Sequence, residues 1–385
     1  MKSSPSHPDV PGVDPGIGLA TTVLISIGVV MSYSATAALA LDANLPPLFF
    51  DHLVGLAIGL AAAAGAAALP AAVVKRLAMP LWLGAVALLA ATLVAGVEVN
   101  GARRWLELPG LRFQPGEIAK LATLVAVAAW ISRPDDRREL STRRSLQAAG
   151  LALLPAGLLL AQPDLGNAVV LVALGAMLLF IAGTPWPRFV LPGVVGVGLV
   201  GAYVLTNAYA MRRVMGFLDP FRERDGSGWQ LVQSYVAFGH GGLLGQGLGN
   251  GRQKLDYLPE VHTDFVLALI AEELGLVGVL VVLGAFAALW VTGTRAARRA
   301  TDRFDLLLAF GMVTLLTLPA WLNASVVMGL VPTKGLTLPF LSYGRTSLVV
   351  CCVALGLLLG VAKRHPPRRA PTPARSQEGP WPGAG

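Results

Sequence analysis

The chain has 385 residues, of which 55% are hydrophobic and only 14% are charged. Soluble domains carry about 25% charged residues, so this composition excludes an ordinary soluble protein and indicates one that crosses a membrane. The net charge of +8 comes mostly from short connections and the C-terminal tail, so it reports membrane topology and contact with anionic lipid, and nucleic acid is not an expected partner.

Apolar segments close to the ~20 residues that cross a bilayer recur along the chain. Because a backbone in lipid must satisfy its own hydrogen bonds, they predict an all-α, polytopic integral membrane protein with about ten transmembrane helices. Residues 1–15 and 362–385 are predicted to be disordered tails, and residues 16–361 to form one membrane domain. The predicted spans are 16–40, 52–73, 79–97, 117–132, 146–161, 167–183, 188–207, 264–291, 306–330 and 342–361.

Lys and Arg are concentrated in alternate connections between the predicted helices. Examples are Lys75 and Arg76, residues 133–144, residues 295–303 and the C-terminal tail. Because cytoplasmic loops carry an excess of these residues, both termini are predicted to be cytoplasmic. The two long loops, about 98–116 and 208–263, then lie outside.

The loop of about residues 208–263 exceeds the usual length of a structureless connection, which indicates a function. Short amphipathic helices are expected in it around residues 229–238. Its glycine run, residues 239–251, contains spacings that resemble a dinucleotide-binding loop. No strand precedes the run and it is predicted to lie outside, so we interpret it as a tight re-entrant turn.

Acidic residues cluster where this loop becomes an apolar helix. Asp264, Glu272 and Glu273 lie within ten positions, and an ionisable group at a hydrocarbon boundary is costly enough to indicate a functional site. Asp264 could instead cap the helix that follows, as could Thr263. Glu272 lies roughly 12 Å deeper than Asp264 along a helix, so Glu272 and Glu273 are expected to pair inside the bundle.

The sequence contains no Walker A motif, and nucleotide is scarce outside the cell. Energy for a reaction at the outer face must then come from an activated lipid-linked donor or from an ion gradient. The residues alone therefore leave two hypotheses open, which are a membrane-embedded transferase and a transporter.

Motifs spread over nearly the whole membrane region resemble the SEDS family (shape, elongation, division and sporulation), the peptidoglycan glycosyltransferases that include FtsW and RodA. Asn100-Gly101 and Lys334 resemble the FtsW type more than the RodA type, while Gly116, Arg345 and Thr346 depart from the family pattern. The motifs are Met31–Ala35, Asn100–Trp105, Gln114–Lys120, Pro163–Gly166, Arg213, Phe217–Pro220, Gln253–Glu260, His262–Phe265, Pro332–Pro339 and Ser342–Gly344.

The resemblance implies that the protein polymerises lipid II at the outer face of the cell (inner) membrane. The 4-hydroxyl of one GlcNAc would attack the anomeric carbon of a lipid-linked MurNAc, releasing undecaprenyl pyrophosphate and forming a β-1,4 link. It implies that Asp264 is the general base. The implied partners are lipid II, the growing glycan chain, a class B penicillin-binding protein and proteins of the division or elongation machinery.

Further residues are predicted to bind substrate. Cations in the outer loops could hold the pyrophosphate, although contact with lipid headgroups is an equally good interpretation of each. The Glu117–Lys120 pair could instead be structural. The predicted set is Arg103, Arg104, Trp105, Glu117, Lys120, Arg213, Asp256, Glu260, His262, Lys334 and Ser342.

The cofactor and the alternative function remain open from the sequence. No ligand spacing demands a metal, while the pyrophosphate leaving group allows a divalent cation, Mg²⁺ or Mn²⁺. The alternative is a lipid II flippase or ion-coupled transporter, in which Asp264, Glu272 and Glu273 would relay protons.

Overall fold

The computed structural model describes residues 14–37, 46–99, 101–109, 111–133, 140–223, 226–254 and 262–366. Helices dominate this part of the chain and follow one another with short connections. They are α1 (Pro15–Ala37), α2 (Pro47–Ala68), α3 (Ala71–Ala95), α4 (Pro115–Ile131), α5 (Thr142–Ala161), α6 (Leu165–Ile181), α7 (Pro187–Thr206), α8 (Ala208–Leu218), α9 (Trp229–Gly241), α10 (Val266–Arg299), α11 (Arg303–Val327) and α12 (Arg345–Arg364).

The ten predicted spans correspond in order to α1–α7 and α10–α12. Of the helices described, 8 are long and apolar enough to cross a membrane, and α4 and α6 are shorter, with 17 residues each. The protein is therefore a multi-pass helical membrane protein, as predicted. The long loop contributes α8 and α9, and α9 confirms the helix expected around residues 229–238.

The first long loop is not irregular. It forms a three-stranded antiparallel sheet of β1 (Val97–Val99), β2 (Ala102–Leu108) and β3 (Leu111–Phe113). Gly101 has a φ of 74° in the turn between β1 and β2, a conformation that glycine adopts without a steric penalty. This small sheet is a local addition to a helical membrane protein, and the Asn100-Gly101 dipeptide is a hairpin signal that indicates it.

Burial differs sharply between helices. In α11, 72% of the residues in its most apolar 18-residue stretch are buried, whereas α7 has no buried residue at all. The centre of the bundle is thus α11, packed against α10, α12 and α4. A helix as apolar and as unpacked as α7 is stable only with lipid around it.

α10 is broken near its first third. Gly275 has φ 67° and ψ −165° inside this 34-residue helix, so the local helical hydrogen bonds are lost. The glycine-rich turn after α9 fills the break: Gln246 N donates to Glu272 O (2.9 Å), and Leu276 N donates to Gly242 O (2.9 Å). This is the tight turn that the glycine run predicts, and it satisfies backbone groups on both sides of the break.

Candidate functional site

Asp264 lies directly before the N-cap residue of α10. The N-cap residue is Phe265, whose side chain makes no capping hydrogen bond, so neither Asp264 nor Thr263 occupies the N-cap position. The backbone is held from α11, because Asn323 Nδ2 donates to the carbonyl oxygens of Asp264 (2.7 Å) and Leu336 (2.6 Å). One buried amide therefore ties the Asp264 backbone to the segment after α11.

That segment, residues 331–344, has no helix or strand, which confirms the irregular backbone predicted around Lys334. It clamps the residues before Asp264. Ser342 donates its hydroxyl hydrogen to Thr263 O and accepts from Leu338 N at 2.7 Å. Tyr343 N donates to His262 O at 2.8 Å, and the two rings meet edge to face with centroids 5.9 Å apart.

Gly335 brings this segment against the Asp264 carboxylate, next to Lys334. A Cβ atom added to Gly335 would lie 2.9 Å from Asp264 Oδ2, so only glycine leaves the carboxylate in place without a shift. Lys334 is half-buried, and this burial lowers the pKa of its ammonium group. Arg213 Nη1 donates to Thr333 O at 3.1 Å, which links α8 to the same segment.

Glu117 and Lys120 form the pair predicted for them on α4. Lys120 Nζ lies 2.7 Å from Glu117 Oε1 and 2.9 Å from Asn167 Oδ1, with both charged side chains buried. Asn167 Nδ2 in turn donates to Asp164 Oδ2 at 2.8 Å. The network joins the start of α4 to the start of α6.

Two contacts extend this network toward the Asp264 region. Arg104 Nη2 donates to Pro163 O, next to Asp164. Gln114 N donates to Thr346 Oγ1 at 3.2 Å, from the start of α4 to the start of α12. The motif segments before α4, after α5, around Asp264 and after α11 therefore meet at one end of the bundle.

Not every predicted residue joins this assembly. Arg103 lies in the sheet, 3.5 Å from Glu98, with both side chains exposed. Trp105 is covered by the Arg112 guanidinium, 5.1 Å from the ring centroid. These contacts stay within the sheet. Asp256 and Glu260 lie outside the described residues.

Glu272 and Glu273 are buried, as expected, but each is held by the glycine-rich turn and not by the other. Glu273 Oε1 lies 2.8 Å from Lys254 Nζ, and both its oxygens are within 2.7 Å of Ser34 Oγ. Glu272 accepts from the backbone N–H groups of Arg252 (2.9 Å) and Gln253 (3.1 Å). Two buried carboxylates thus anchor the turn that leads to residues 255–264.

Sequence reasoning missed Asn323, Lys254 and the partner of Arg345. Arg345 Nη1 lies 3.7 Å from Asp51 Oδ1 on α2, and the Tyr343 hydroxyl donates to Asp51 Oδ2 at 3.4 Å. The unusual arginine is therefore paired beside the Tyr343 ring. A polar side chain within the apolar run of α11 was a signal that could have indicated Asn323.

Carboxylates are not grouped in the manner of a metal site in the part of the chain that the structure describes. It contains no cluster of three or more His, Cys, Asp or Glu that could hold an ion.

A family model described as cell cycle protein, covering FtsW, RodA and SpoVE, matches residues 17–366. The chain belongs to this family. It is 40% identical over 348 residues to the probable peptidoglycan glycosyltransferase FtsW of Trichlorobacter lovleyi, covering 89% of this chain and 91% of that one. It is 41% identical over 349 residues to the FtsW of Pseudomonas fluorescens, covering 88% and 85%.

Solved structures agree with this assignment. A chain of a peptidoglycan synthase complex that coordinates polymerization and crosslinking superposes with a TM-score of 0.74 at 32% identity, covering 92% of this chain and 98% of that one. The rod shape determining protein RodA of Thermus thermophilus gives a TM-score of 0.67 at 31% identity, covering 93% and 98%. The SEDS resemblance carried by the motifs is confirmed.

Proposed function

We propose that this chain is a peptidoglycan glycosyltransferase that polymerises lipid II at the outer face of the cell membrane during division. The observation that carries this proposal is the clamp around Asp264, in which Asn323, Ser342 and Tyr343 fix the backbone while Gly335 leaves room for the carboxylate. The names of the relatives, FtsW above all, support the choice of reaction.

In the proposed reaction Asp264 accepts the proton of the attacking GlcNAc 4-hydroxyl. A general base must be held in a fixed geometry to act within hydrogen-bond reach of that proton, and three backbone contacts from elements far away in sequence supply such a geometry. The new bond forms at the MurNAc anomeric carbon with inversion, and the undecaprenyl pyrophosphate leaves with the bonding electron pair.

The developing pyrophosphate charge needs cations close by. Lys334 is one residue from Gly335, which touches the Asp264 carboxylate, and we assign Lys334 the main contact with the leaving group. Arg213, bound to the neighbouring Thr333 carbonyl, and Arg104 are placed in support of it. The Glu117–Lys120 pair is internally neutralised, and we assign it to holding α4 and α6 in register beneath the site.

The transporter alternative receives less support. A proton relay needs carboxylates that exchange protons along a path, whereas Glu272 and Glu273 accept hydrogen bonds from backbone N–H groups and Lys254. Both carboxylates are therefore committed to holding the glycine-rich turn.

The proposal includes topology and a partner. Both termini lie in the cytoplasm, according to the distribution of Lys and Arg, and Asp264 faces outward. A class B penicillin-binding protein would crosslink the strands made here, together with other proteins of the division machinery. The superposition on a chain from a complex that coordinates polymerization and crosslinking supports this partner.

The decisive experiment measures polymerisation of labelled lipid II by the purified protein, with and without a class B penicillin-binding protein. Asp264→Asn should abolish glycan synthesis while the protein inserts and unfolds like the parent. Glu107→Gln, an exposed change in β2, is the matched control and should retain full activity. A polymerising Asn variant would refute the general-base role, and an inactive parent with partner present would refute the function.

A further inference from the structure

A cavity of about 890 Å³ lies at the end of the bundle opposite Asp264. Its walls are the ends of α6, α7, α10 and α11, and they are largely apolar and aromatic, with Phe180, Trp186, Phe189, Trp290 and Phe310 among them. The volume falls within the roughly 300–1,000 Å³ of known small-molecule sites. The cavity is remote from the proposed reaction, and none of its lining residues takes part in it.

The position of the cavity indicates what fills it. One wall is α7, an apolar helix without a buried residue, whose outer surface can face only hydrocarbon. An apolar cavity beside such a helix is open to acyl chains and closed to polar solutes, because a polar ligand would lose its hydration there without gaining partners.

A single cation stands at the rim. Arg298 lines the cavity and is exposed, and it has no ion pair or hydrogen bond to any residue that the structure describes. Neighbouring cations differ: Arg299 lies 2.8 Å from Asp14, Arg303 donates to Ala182 O at 2.7 Å, and Arg188 donates to Leu140 O at 2.9 Å. The guanidinium of Arg298 therefore remains available, and planar guanidinium groups bind phosphate with two hydrogen bonds.

We propose that this cavity binds one anionic glycerophospholipid, with an acyl chain between α6, α7 and α10 and the phosphate on Arg298. Under the proposed topology the lipid comes from the cytoplasmic leaflet, where basic residues favour anionic headgroups. The bound lipid would hold the cytoplasmic end of α7 against the bundle. α7 continues into α8, whose Arg213 contacts the Lys334 segment, so the lipid would be mechanically connected to the opposite face.

Tryptophan quenching by brominated lipid tests this proposal, since Trp290 reports from the cavity wall. The full-length protein is placed in phosphatidylcholine nanodiscs with a small fraction of either brominated phosphatidylglycerol or brominated phosphatidylcholine. The anionic lipid should quench at about tenfold lower mole fraction. Both lipids carry a phosphate, but the choline cation of phosphatidylcholine offsets the attraction of Arg298 for that phosphate, whereas phosphatidylglycerol keeps a net negative charge. Trp290→Phe should remove this additional quenching.

Two substitutions on α10 separate a specific site from general attraction to basic protein. Arg298→Gln should abolish the preference for the anionic lipid, whereas Arg295→Gln, an exposed cation outside the cavity lining, should retain it. Ala176→Phe, which fills the cavity, should reduce the additional quenching as well. Equal quenching by the two lipids, or a preference that survives Arg298→Gln, would overturn the proposal. Neither result depends on polymerase activity.

Discussion

At the scale of single residues, two kinds of side chain surround the proposed base. One kind fixes its position, and the other places positive charge near it. Asn323 belongs to the first kind and Lys334 to the second. Their removal should therefore have different signatures, because one supplies geometry and the other supplies charge.

Asn323→Ala removes the donor shared by the Asp264 and Leu336 carbonyls. Each buried carbonyl left unsatisfied costs about 1–3 kcal/mol, so we expect lower thermal stability together with a turnover rate reduced on the order of tenfold. Ser325→Ala is the matched control on α11, because its hydroxyl donates only to Trp321 O within the same helix. Polymerisation rate and melting temperature in detergent measure both effects. Parent-like turnover in Asn323→Ala would show that the clamp does not position Asp264.

Lys334→Ala should slow lipid II consumption on the order of ten- to a hundredfold at equal expression, the loss expected for one charge-assisted contact of roughly 1.5–3 kcal/mol. A lysine that only reached lipid headgroups would tolerate the change. Arg222→Gln, an exposed cation of the long loop, is the control. An unchanged rate in Lys334→Ala would remove this lysine from the site.

The pH dependence gives a second test of Lys334. Burial lowers the pKa of its ammonium group, so the charge is complete below that pKa and disappears as pH rises through it, earlier than for an exposed lysine. The polymerisation rate should fall over the same alkaline pH range. Lys334→Arg keeps its charge at high pH, so its polymerisation rate should fall only at a higher pH than that of the parent. An identical pH–rate profile in both proteins would contradict the assignment.

At the scale of elements, the broken helix α10 and the glycine-rich turn form one unit. Gly275 supplies a backbone conformation reserved for glycine, and the turn replaces the hydrogen bonds that the break removes. Lys254, Glu272 and Glu273 then anchor the turn through buried charge. Because α10 begins just after Asp264, strain in this unit should reach the site.

Gly275→Ala should destabilise the protein by more than 1–3 kcal/mol, the usual cost of a strained backbone, because a Cβ there would lie 2.4 Å from Gly245 N. Gly284→Ala is the control in the same helix: no atom lies within 4 Å of its added Cβ, and alanine favours helix. In detergent, the melting temperature should fall strongly for Gly275→Ala and stay unchanged for Gly284→Ala. Equal melting temperatures would mean that the break is not held rigidly.

At the scale of the whole molecule, the ends of α4, α6, α10 and α12 converge on one face, while the cavity with Arg298 occupies the other. The described residues contain no cluster of His, Cys, Asp or Glu that could hold a divalent ion at either face. We propose that a divalent cation arrives with the pyrophosphate of the substrate.

We therefore predict that Mg²⁺ or Mn²⁺ stimulates polymerisation without being tightly held. Added metal should raise the rate in a saturable way, and dialysis alone should reverse the effect. Metal content of the purified protein, measured by mass spectrometry, should be well below one ion per chain. Full activity after exhaustive chelation would contradict the requirement.

Much of the architecture could be predicted from local sequence. The order and approximate bounds of the ten apolar helices, the helix near residues 229–238 and the Glu117–Lys120 pair follow from hydropathy and from spacing along one helix. The β-sheet was missed because its strands are short and lie in a loop that hydropathy alone cannot interpret.

The sequence by itself determined a helical membrane protein of the SEDS family, with an acid at one helix boundary. Only the tertiary structure decided that Asn323 holds the Asp264 carbonyl and Ser342 the Thr263 carbonyl, and that Glu273 pairs with Lys254. The reason is physical: hydropathy and helical periodicity act between neighbours in the chain. The contacts that fix the site join segments many residues apart, and packing of the whole bundle selects their partners.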